Sequence, residues 1–585
     1  MSSIDLIWLS DVTPLPPWRL GAALPVARQS VAVAIAADCL VRSSTATAVL
    51  FWDAALGTPD QDMVQELVDS SADCWHAGLK LGMGGLPGIV DFIAPTWMLA
   101  CDPPAEIEAT SWRLSFRACL VRTEVLRKLG GPRMEFETLE AAALEMGHRW
   151  IRGGALVRNV PSLILAHTQH SRFSIQHPVR LPLSDELRFA YYRHGKKWAA
   201  WGMFRAVLTR YVSLPSAVRA WREVMSESRP SDLPPLRSPH DGGAPKAEEQ
   251  QFNDRIIELC GQSSTATPYG FIPSSEARVS VLIPTVDRYP YLRTLLTQLR
   301  QQTLRPLEII IVDQTAADRR QPELFDEFSD LPLRVIYQDS PGQCTSRNAG
   351  LQIAVGDCIL FIDDDDEVPV DLIEKHLRSL ADFRSEVSCG VADEVGAGAL
   401  PADFRFLRVS DVFPTNNTMI RREVLLRSGL FDLAYNRRQR ADGDLGMRMY
   451  LAGASMILNP AISVLHHHAP SGGLRKHKAR TVTYAMSRNG VFSRALTSAS
   501  EFYLSGRYFS PSHAREVFWQ SVLGTFSIRG SFPRRMSKLL VSTLMLPATL
   551  WQLHCRVKQA RDMAVHFPQI PKLAAGGLDD ASSSA

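Results

Sequence analysis

Four short apolar runs rich in Ile and Val mark the second half of the chain: VSVLI (279–283), LEIIIV (307–312), LRVIY (333–337) and CILFI (358–362). Between the first two, YPYLRTLLTQLRQQT places its leucines at helical spacing. Before the fourth, QCTSRNAGLQIAVG reads as a helix ending at Gly356. Uninterrupted apolar strands separated by helices predict a mostly parallel sheet covered on both faces, hence an α/β fold. Ligands of such sheets bind beyond the C-terminal ends of the strands. The polar residues fall there: Pro284, Thr285 and Asp287 after the first run, Asp313 after the second, and Asp363, Asp364, Asp365 and Asp366 after the fourth. If the aspartates continue the strand, Asp363 and Asp365 point to the same side.

The chain has 585 residues, enough for three or four domains at roughly 100–200 residues each. Between 226 and 275 the composition shifts to Pro, Ser, Gly and charge, a linker with one short helical piece at FNDRIIELCG. A net charge of +3 gives no bulk electrostatic case for nucleic acid. Nine scattered cysteines without a CxxC pair read as a reduced, cytosolic chain. The N-terminal MSSIDLIWLSDVTPLPP lacks the basic and apolar regions of a secretory signal. Residues 539–555, LLVSTLMLPATLWQLHC, carry no formal charge but fall short of the ~20 apolar residues of a spanning helix. A packed helix is the default there, and an in-plane helix at the cytoplasmic face of a membrane is the alternative.

An acidic run is ordinarily a solvated turn. At the end of a buried strand, carboxylates cluster when a cation sits among them. A calcium loop counted from Asp363 fails, because its sixth place is Val368 where Gly is required and no helix precedes it. Mg²⁺ or Mn²⁺, held by one or two carboxylates and the phosphates of a substrate, fits better.

With these residues in view, 278–470 resembles a family 2 glycosyltransferase of the GT-A fold. VSVLIPTVDR, LEIIIVDQT, PGQCTSRNAGL, FIDDDD and ADGDLGMR stand in the family's order and at its intervals. The resemblance implies that Pro284 and Thr285 line a nucleotide pocket, that Asp313 accepts a hydrogen bond from the base, and that Arg347 faces the diphosphate. It implies further that Asp363 and Asp364 contact ribose or metal and that Asp365 ligates a divalent ion, Mn²⁺ or Mg²⁺. In ADGDLGMR, Ala441 stands where the family often has Glu, and Asp442 is the implied catalytic base, with Asp444 an acceptor contact. Asp442 at a helix N-cap is the structural alternative. Of the three histidines in VLHHHAPSGG, the resemblance puts His466 at the metal or pyrophosphate site.

A second copy is visible at an offset of 299 residues. LVRTEVLRKLG (120–130) aligns without a gap on MIRREVLLRSG (419–429), and the register goes on to pair Gly147 with Gly446, Gly154 with Gly453, Pro161 with Pro460 and His167 with His466. Ala143 stands opposite Asp442, and AVLFWDAAL keeps only Asp53, with no clear counterpart of the strands at 279–312 before it. The stretches 191–211 and 484–499 also share a pattern of aromatic, basic and Gly residues.

The expected organisation is a degenerate transferase-like domain (1–225), a linker (226–275), a catalytic GT-A domain (276–475) and a helical C-terminal region (476–585). The expected activity is metal-dependent, inverting transfer of a sugar from a nucleotide-sugar donor, UDP-linked, to a saccharide or lipid-linked saccharide acceptor in cell-surface glycan synthesis. An inactive scaffold is a rival reading. It gives no reason to keep mutually repelling carboxylates. A nucleotidyltransferase is another, and it leaves Asp442 without a role.

Overall fold

The computed structural model describes residues 2–81, 88–90, 97–164, 180–231, 233–237, 277–469, 490–492, 494, 496–528 and 530–574. Most of the expected linker, including FNDRIIELCG, lies outside them, as do His167 and half of 484–499. The chain forms two compact units that are discontinuous in sequence. The first takes in 1–236, 432–453 and 478–570, and the second 237–431, 454–477 and 571–585. A division into consecutive segments therefore differs from the observed one in where it puts 432–453, the stretch that carries Asp442.

The second unit is built on nine strands: β8 (Val279–Thr285), β9 (Glu308–Asp313), β10 (Leu333–Tyr337), β11 (Cys358–Phe361), β12 (Asp366–Glu367), β13 (Val387–Glu394), β14 (Arg408–Val409), β15 (Thr418–Arg421) and β16 (Met456–His466). They follow the order β10-β9-β8-β11-β15-β13-β16-β12, and β14 pairs with β16. The first four are mutually parallel, while β15 runs antiparallel to β11 and to β13. The helices Tyr289–Arg300 and Leu372–Asp382 bury Leu292, Leu295, Leu296, Leu299, Leu372, Ile373, Leu377 and Leu380 in one core with Val281, Ile283, Ile309, Ile311, Leu360 and Ile362. The helix Gln343–Ile353 approaches the sheet so closely at Gly350 that a Cβ there would lie 2.2 Å from a methyl of Leu282. Only glycine fits, which fixes how Arg347 on the same helix is presented.

The first unit contains seven strands: β1 (Ile4–Leu9), β2 (Ala23–Val26), β3 (Ala48–Asp53), β4 (Cys74–His76), β5 (Ala109–Thr110), β6 (Ala118–Arg122) and β7 (Val157–Asn159). Their order is β2-β1-β3-β6-β4-β7-β5. Replacing each by its counterpart gives β9-β8-β11-β15-β13-β16-β14, the path of the other sheet, with the same parallel and antiparallel senses at every step. The expectation that the strands at 279–312 have no counterpart is thus corrected: β1 and β2 occupy their places. They escape notice because the connection between them holds Pro14, Pro16 and Pro17 and no helix. The repeated glycines have a backbone cause. Gly130 and Gly429 end equivalent helices at φ 74° and 73°, and Gly154 and Gly453 sit at φ 92° and 85°.

Residues 539–555 fall on two helices, Phe532–Leu544 and Leu546–His566, the second opened by Pro547 in its first turn. No helix among the described residues is long and apolar enough to cross a membrane.

Candidate active site

The four aspartates do not continue β11. The strand stops at Phe361, and Asp363–Asp365 make a turn into β12. The alternation expected of a strand is lost, and each carboxylate takes a direction of its own. Asp363 Oδ1 accepts from Arg347 Nη2 at 2.7 Å. Asp364 is buried and accepts from Thr285 Oγ1 and Arg288 Nη1, both at 2.8 Å. Asp365 Oδ2 accepts from the backbone N–H of Ala469 at 2.8 Å, and its Oδ1 lies 2.9 Å from Arg288 Nη1. Asp366 Oδ1 meets His466 Nδ1 at 2.8 Å, and its Oδ2 accepts from the N–H of Asp363 at 3.0 Å. Two arginines and an imidazole therefore face four carboxylates, which is how like charges share one turn.

Burial pushes the Asp364 carboxyl up, and the charge of Asp365 adds to it against the pull of Arg288. Burial likewise raises Asp366, opposed by its bond to His466. Burial on its own would lower His466, but the hydrogen bond to Asp366 and the charges of Asp366, Asp365 and Asp363 prevail, and its pKa is pushed up to about 9. The shifts at Asp366 and His466 compete for one proton. It belongs on the imidazole, which is half-buried among several carboxylates, whereas Asp366 is fully enclosed. The bond of His466 to Asp366 occupies Nδ1 and leaves Nε2 as the ring atom for a further partner, at the metal or pyrophosphate site that the resemblance implies. Its neighbours are matched in the same way, His467 Nε2 with Glu367 Oε1 at 2.5 Å and His468 Nε2 with Glu394 Oε2 at 3.3 Å.

Two observations bear on a divalent ion. Asp365 Oδ1 is buried and receives no hydrogen bond, although it lies within ion-pair distance of Arg288. Asp363 keeps 29% of its side chain exposed beside it in the turn. Among the described residues no three His, Cys, Asp or Glu side chains converge as a ready-made cage. A cation that takes one or two carboxylates and completes its shell with substrate phosphates and water fits this donor set.

The residues expected to line a nucleotide pocket stand at the ends of β8 and β9. Pro284 is partly exposed and Thr285 is buried. Asp313 is fully buried, its Oδ2 accepting from Tyr289 Oη at 2.7 Å and its Oδ1 from the N–H of Thr315 at 2.9 Å. In this state it reaches the pocket through Tyr289 and Thr315 rather than by exposing its own oxygens. Arg347 also contacts Thr415 Oγ1 at 3.3 Å and the carbonyl of Gln343, and its guanidinium lies over Phe431. Asn348 exchanges two hydrogen bonds with the backbone of Phe431, locking the helix that carries Arg347.

In the first unit, Asp442 is exposed in the opening turn of the helix Ala441–Leu451, where a carboxylate suits the helix dipole. The N-cap is Arg440, at φ 80°, and not Asp442. Asp444 is fully buried, bound by Arg448 Nε at 2.9 Å and Tyr508 Oη at 2.6 Å, which leaves no oxygen facing solvent.

Arg288 and Asp366 are functional candidates that sequence reasoning passed over. The available signal for Arg288 was a cation three residues beyond β8, at the carboxyl edge where the acids gather. Strand register shows what the first sheet retains. Ala48 faces Arg122 as Cys358 faces Arg421, so Asp53 corresponds to Asp363. Ala54, Ala55 and Leu56 then stand for Asp364, Asp365 and Asp366, and Ala27 for Asp313.

Residues 280–424 match the family description "Glycosyl transferase family 2". The putative glycosyltransferase EpsH of Bacillus subtilis is 38% identical over 118 residues, which are 20% of this chain and 34% of that protein. The uncharacterized glycosyltransferase YwdF of the same organism is 32% identical over 168 residues, 26% of this chain and 62% of that protein. The chain thus spans a third to about three fifths of the length of these relatives. Among solved structures, the mannosyltransferase PcManGT from Pyrobaculum calidifontis, in complex with GDP-Man and Mn²⁺, superposes at a TM-score of 0.32 and 16% identity, over 54% of this chain and 94% of that one.

Proposed function

Since residues 280–424 form a glycosyltransferase domain of family 2, we propose that the whole chain transfers a sugar from a nucleotide-diphosphosugar, UDP-linked, to a hydroxyl of a saccharide or lipid-linked saccharide acceptor. The observation that carries this reading is the turn at 363–366, where Oδ1 of Asp365, ion-paired to Arg288 but without a hydrogen bond, lies beside a partly exposed Asp363 paired to Arg347. Asp363 and Asp365 are the carboxylates that would hold a divalent ion, Mn²⁺ or Mg²⁺. Such an ion supplies Lewis-acid stabilisation of the departing diphosphate. Arg347, paired to Asp363 at 2.7 Å, is the guanidinium placed to meet the diphosphate oxygens. His466, charged by its bond to Asp366, donates from Nε2 toward the same oxygens. Thr285 and Arg288 hold Asp364 in place and so fix the turn, while Asp313 sets the pocket wall through Tyr289.

Asp442 is the proposed base. An exposed carboxylate can accept the acceptor's proton as its oxygen attacks the anomeric carbon, and a single displacement inverts the configuration. Ala441 leaves the acceptor to be oriented by other groups. The first unit is read as a degenerate copy, because four of the five acidic positions traced through the strands are Ala or Leu. The eight described cysteines are free, with the Cys74 and Cys119 sulfurs in a hydrogen-bond contact at 3.8 Å.

The test is donor hydrolysis and transfer across UDP-, GDP- and dTDP-sugars with Mn²⁺ or Mg²⁺, comparing native protein with Asp365→Ala and Asp442→Asn. The reading requires metal-dependent turnover that both variants lose, with donor binding lost only in Asp365→Ala. Absence of donor binding in native protein under every metal would discard it.

A further inference from the structure

The helix Phe532–Leu544 is amphipathic in the inverse sense. Phe532, Met536, Leu540 and Leu544 recur every four residues and are 76%, 46%, 62% and 72% exposed. The buried positions of this helix are Lys538 and Ser542. Lys538 Nζ donates to the carbonyl of Gly490 at 2.9 Å, and Ser542 Oγ to that of Thr525 at 2.7 Å. The next helix begins alike, with Thr549 buried and bonded to Arg494 Nη1 at 3.0 Å and Trp551 69% exposed. A helix folded against water turns its leucines in and its lysine out. Here the inner face is satisfied by hydrogen bonds, and the leucines are left for an apolar phase.

Charge selects that phase. From Phe526 to Arg561 the sequence holds seven Lys and Arg and not one Asp or Glu. Arg534 and Arg535 are exposed, one turn in from Phe532. Two copies of this chain meeting through the face would bring two such arginine pairs together, which repel. An anionic surface would attract them. The turn at Met545 and the proline that follows divide the apolar stretch, and neither helix can cross a bilayer.

We propose that the face formed by Phe532, Met536, Leu540, Leu544 and Trp551 lies in the plane of an anionic phospholipid surface, its side chains among the acyl chains and Arg534 and Arg535 at the phosphates. This goes beyond the transferase reading and does not depend on it, since no residue of the face belongs to the candidate active site.

The experiment is co-sedimentation of the full chain with vesicles of phosphatidylcholine alone, or of phosphatidylcholine with about a third phosphatidylglycerol. Two variants are compared, Leu540→Glu with Leu544→Glu, and Arg534→Gln with Arg535→Gln. Circular dichroism and thermal melting check that each folds, as the exposure of all four positions leads us to expect. Native protein should bind the anionic vesicles and lose binding as salt is raised, and each variant should partition at least about tenfold less. Equal binding to both vesicle types overturns the lipid class. No binding to either, with native protein eluting as a dimer and the glutamate variant as a monomer, overturns the membrane and makes the face a contact between copies. No binding with every form monomeric also overturns the proposal.

Discussion

Asp53 and Asp363 hold the same place in two sheets of one strand order, each five residues beyond the residue that faces an arginine of the antiparallel neighbour. Their partners differ in number. Asp363 has one arginine and a partly exposed side chain. Asp53 is buried between Arg28 and Arg117, and its Oδ1 also caps Ala55 N–H at 2.8 Å. Substituting the two should therefore separate chemistry from folding. Asp363→Asn should abolish donor turnover with little change in melting temperature. Asp53→Asn should leave turnover as it is and cost about 1–3 kcal/mol of stability, read by denaturant titration.

Asp365 and Asp442 predict different losses. Asp365→Ala removes the carboxylate oxygen that lacks a hydrogen bond, so the affinity for Mn²⁺ measured by calorimetry with a nucleoside diphosphate present should fall at least about tenfold. Asp442→Asn should leave that affinity alone and reduce turnover about 100- to 10,000-fold, as expected for loss of a general base. Equal metal affinities in native and Asp365→Ala protein would remove Asp365 from the ligand set.

Asp444 tests whether an acidic residue beside the proposed base serves folding. With its oxygens spent on Arg448 and Tyr508, Asp444→Ala removes a buried carboxylate that both side chains bind and should destabilise the first unit by about 3–5 kcal/mol. An acceptor contact would instead raise KM for the acceptor at unchanged stability.

His376 gives the second unit a pH dependence. Burial lowers its pKa to about 4, and the neutral ring donates from Nε2 to Asn417 Oδ1 while Nδ1 accepts from Ser388 Oγ, both at 2.9 Å. The unfolded chain takes up a proton near the ordinary value of 6.5 and the folded one only near 4. Its contribution is therefore complete above about pH 6.5 and is lost as pH falls toward 4, roughly 3 kcal/mol in all. His76, His148 and His194 are lowered too, so the comparison with His376→Gln isolates this ring. Stability against pH should flatten by one proton in the variant, and an unchanged slope would refute the assignment.

Much of the second unit was legible in the sequence because β8, β9 and β11 are buried on both faces and lead into polar residues, while the edge strand β10 keeps a short Val- and Ile-bearing run. β8, β9, β10 and β11 all lie where the Ile- and Val-rich runs put them. The antiparallel part was not legible. β13 carries Ser388 and Gly390 among its apolar residues, β14 has two residues, and their pairing depends on β16, far along the chain. The aspartate run announced a site. The direction of each carboxylate did not follow from strand periodicity, because a turn set by Thr285, Arg288, Arg347 and His466 decides it. In the first unit β3 and β6 could be read, whereas β1 and β2 could not be matched to β8 and β9 without the helix that joins the latter pair.

The clamp on Asp53 has a consequence for descent. Once two guanidiniums depend on a carboxylate for their hydrogen bonds, replacing it harms the fold whether or not a nucleotide ever binds. Selection on activity could lapse, the other donor-side positions could drift to alanine and leucine, and this one would stay entrenched. A solitary aspartate after the third strand of such a domain is then a mark of ancestry kept by its neighbours.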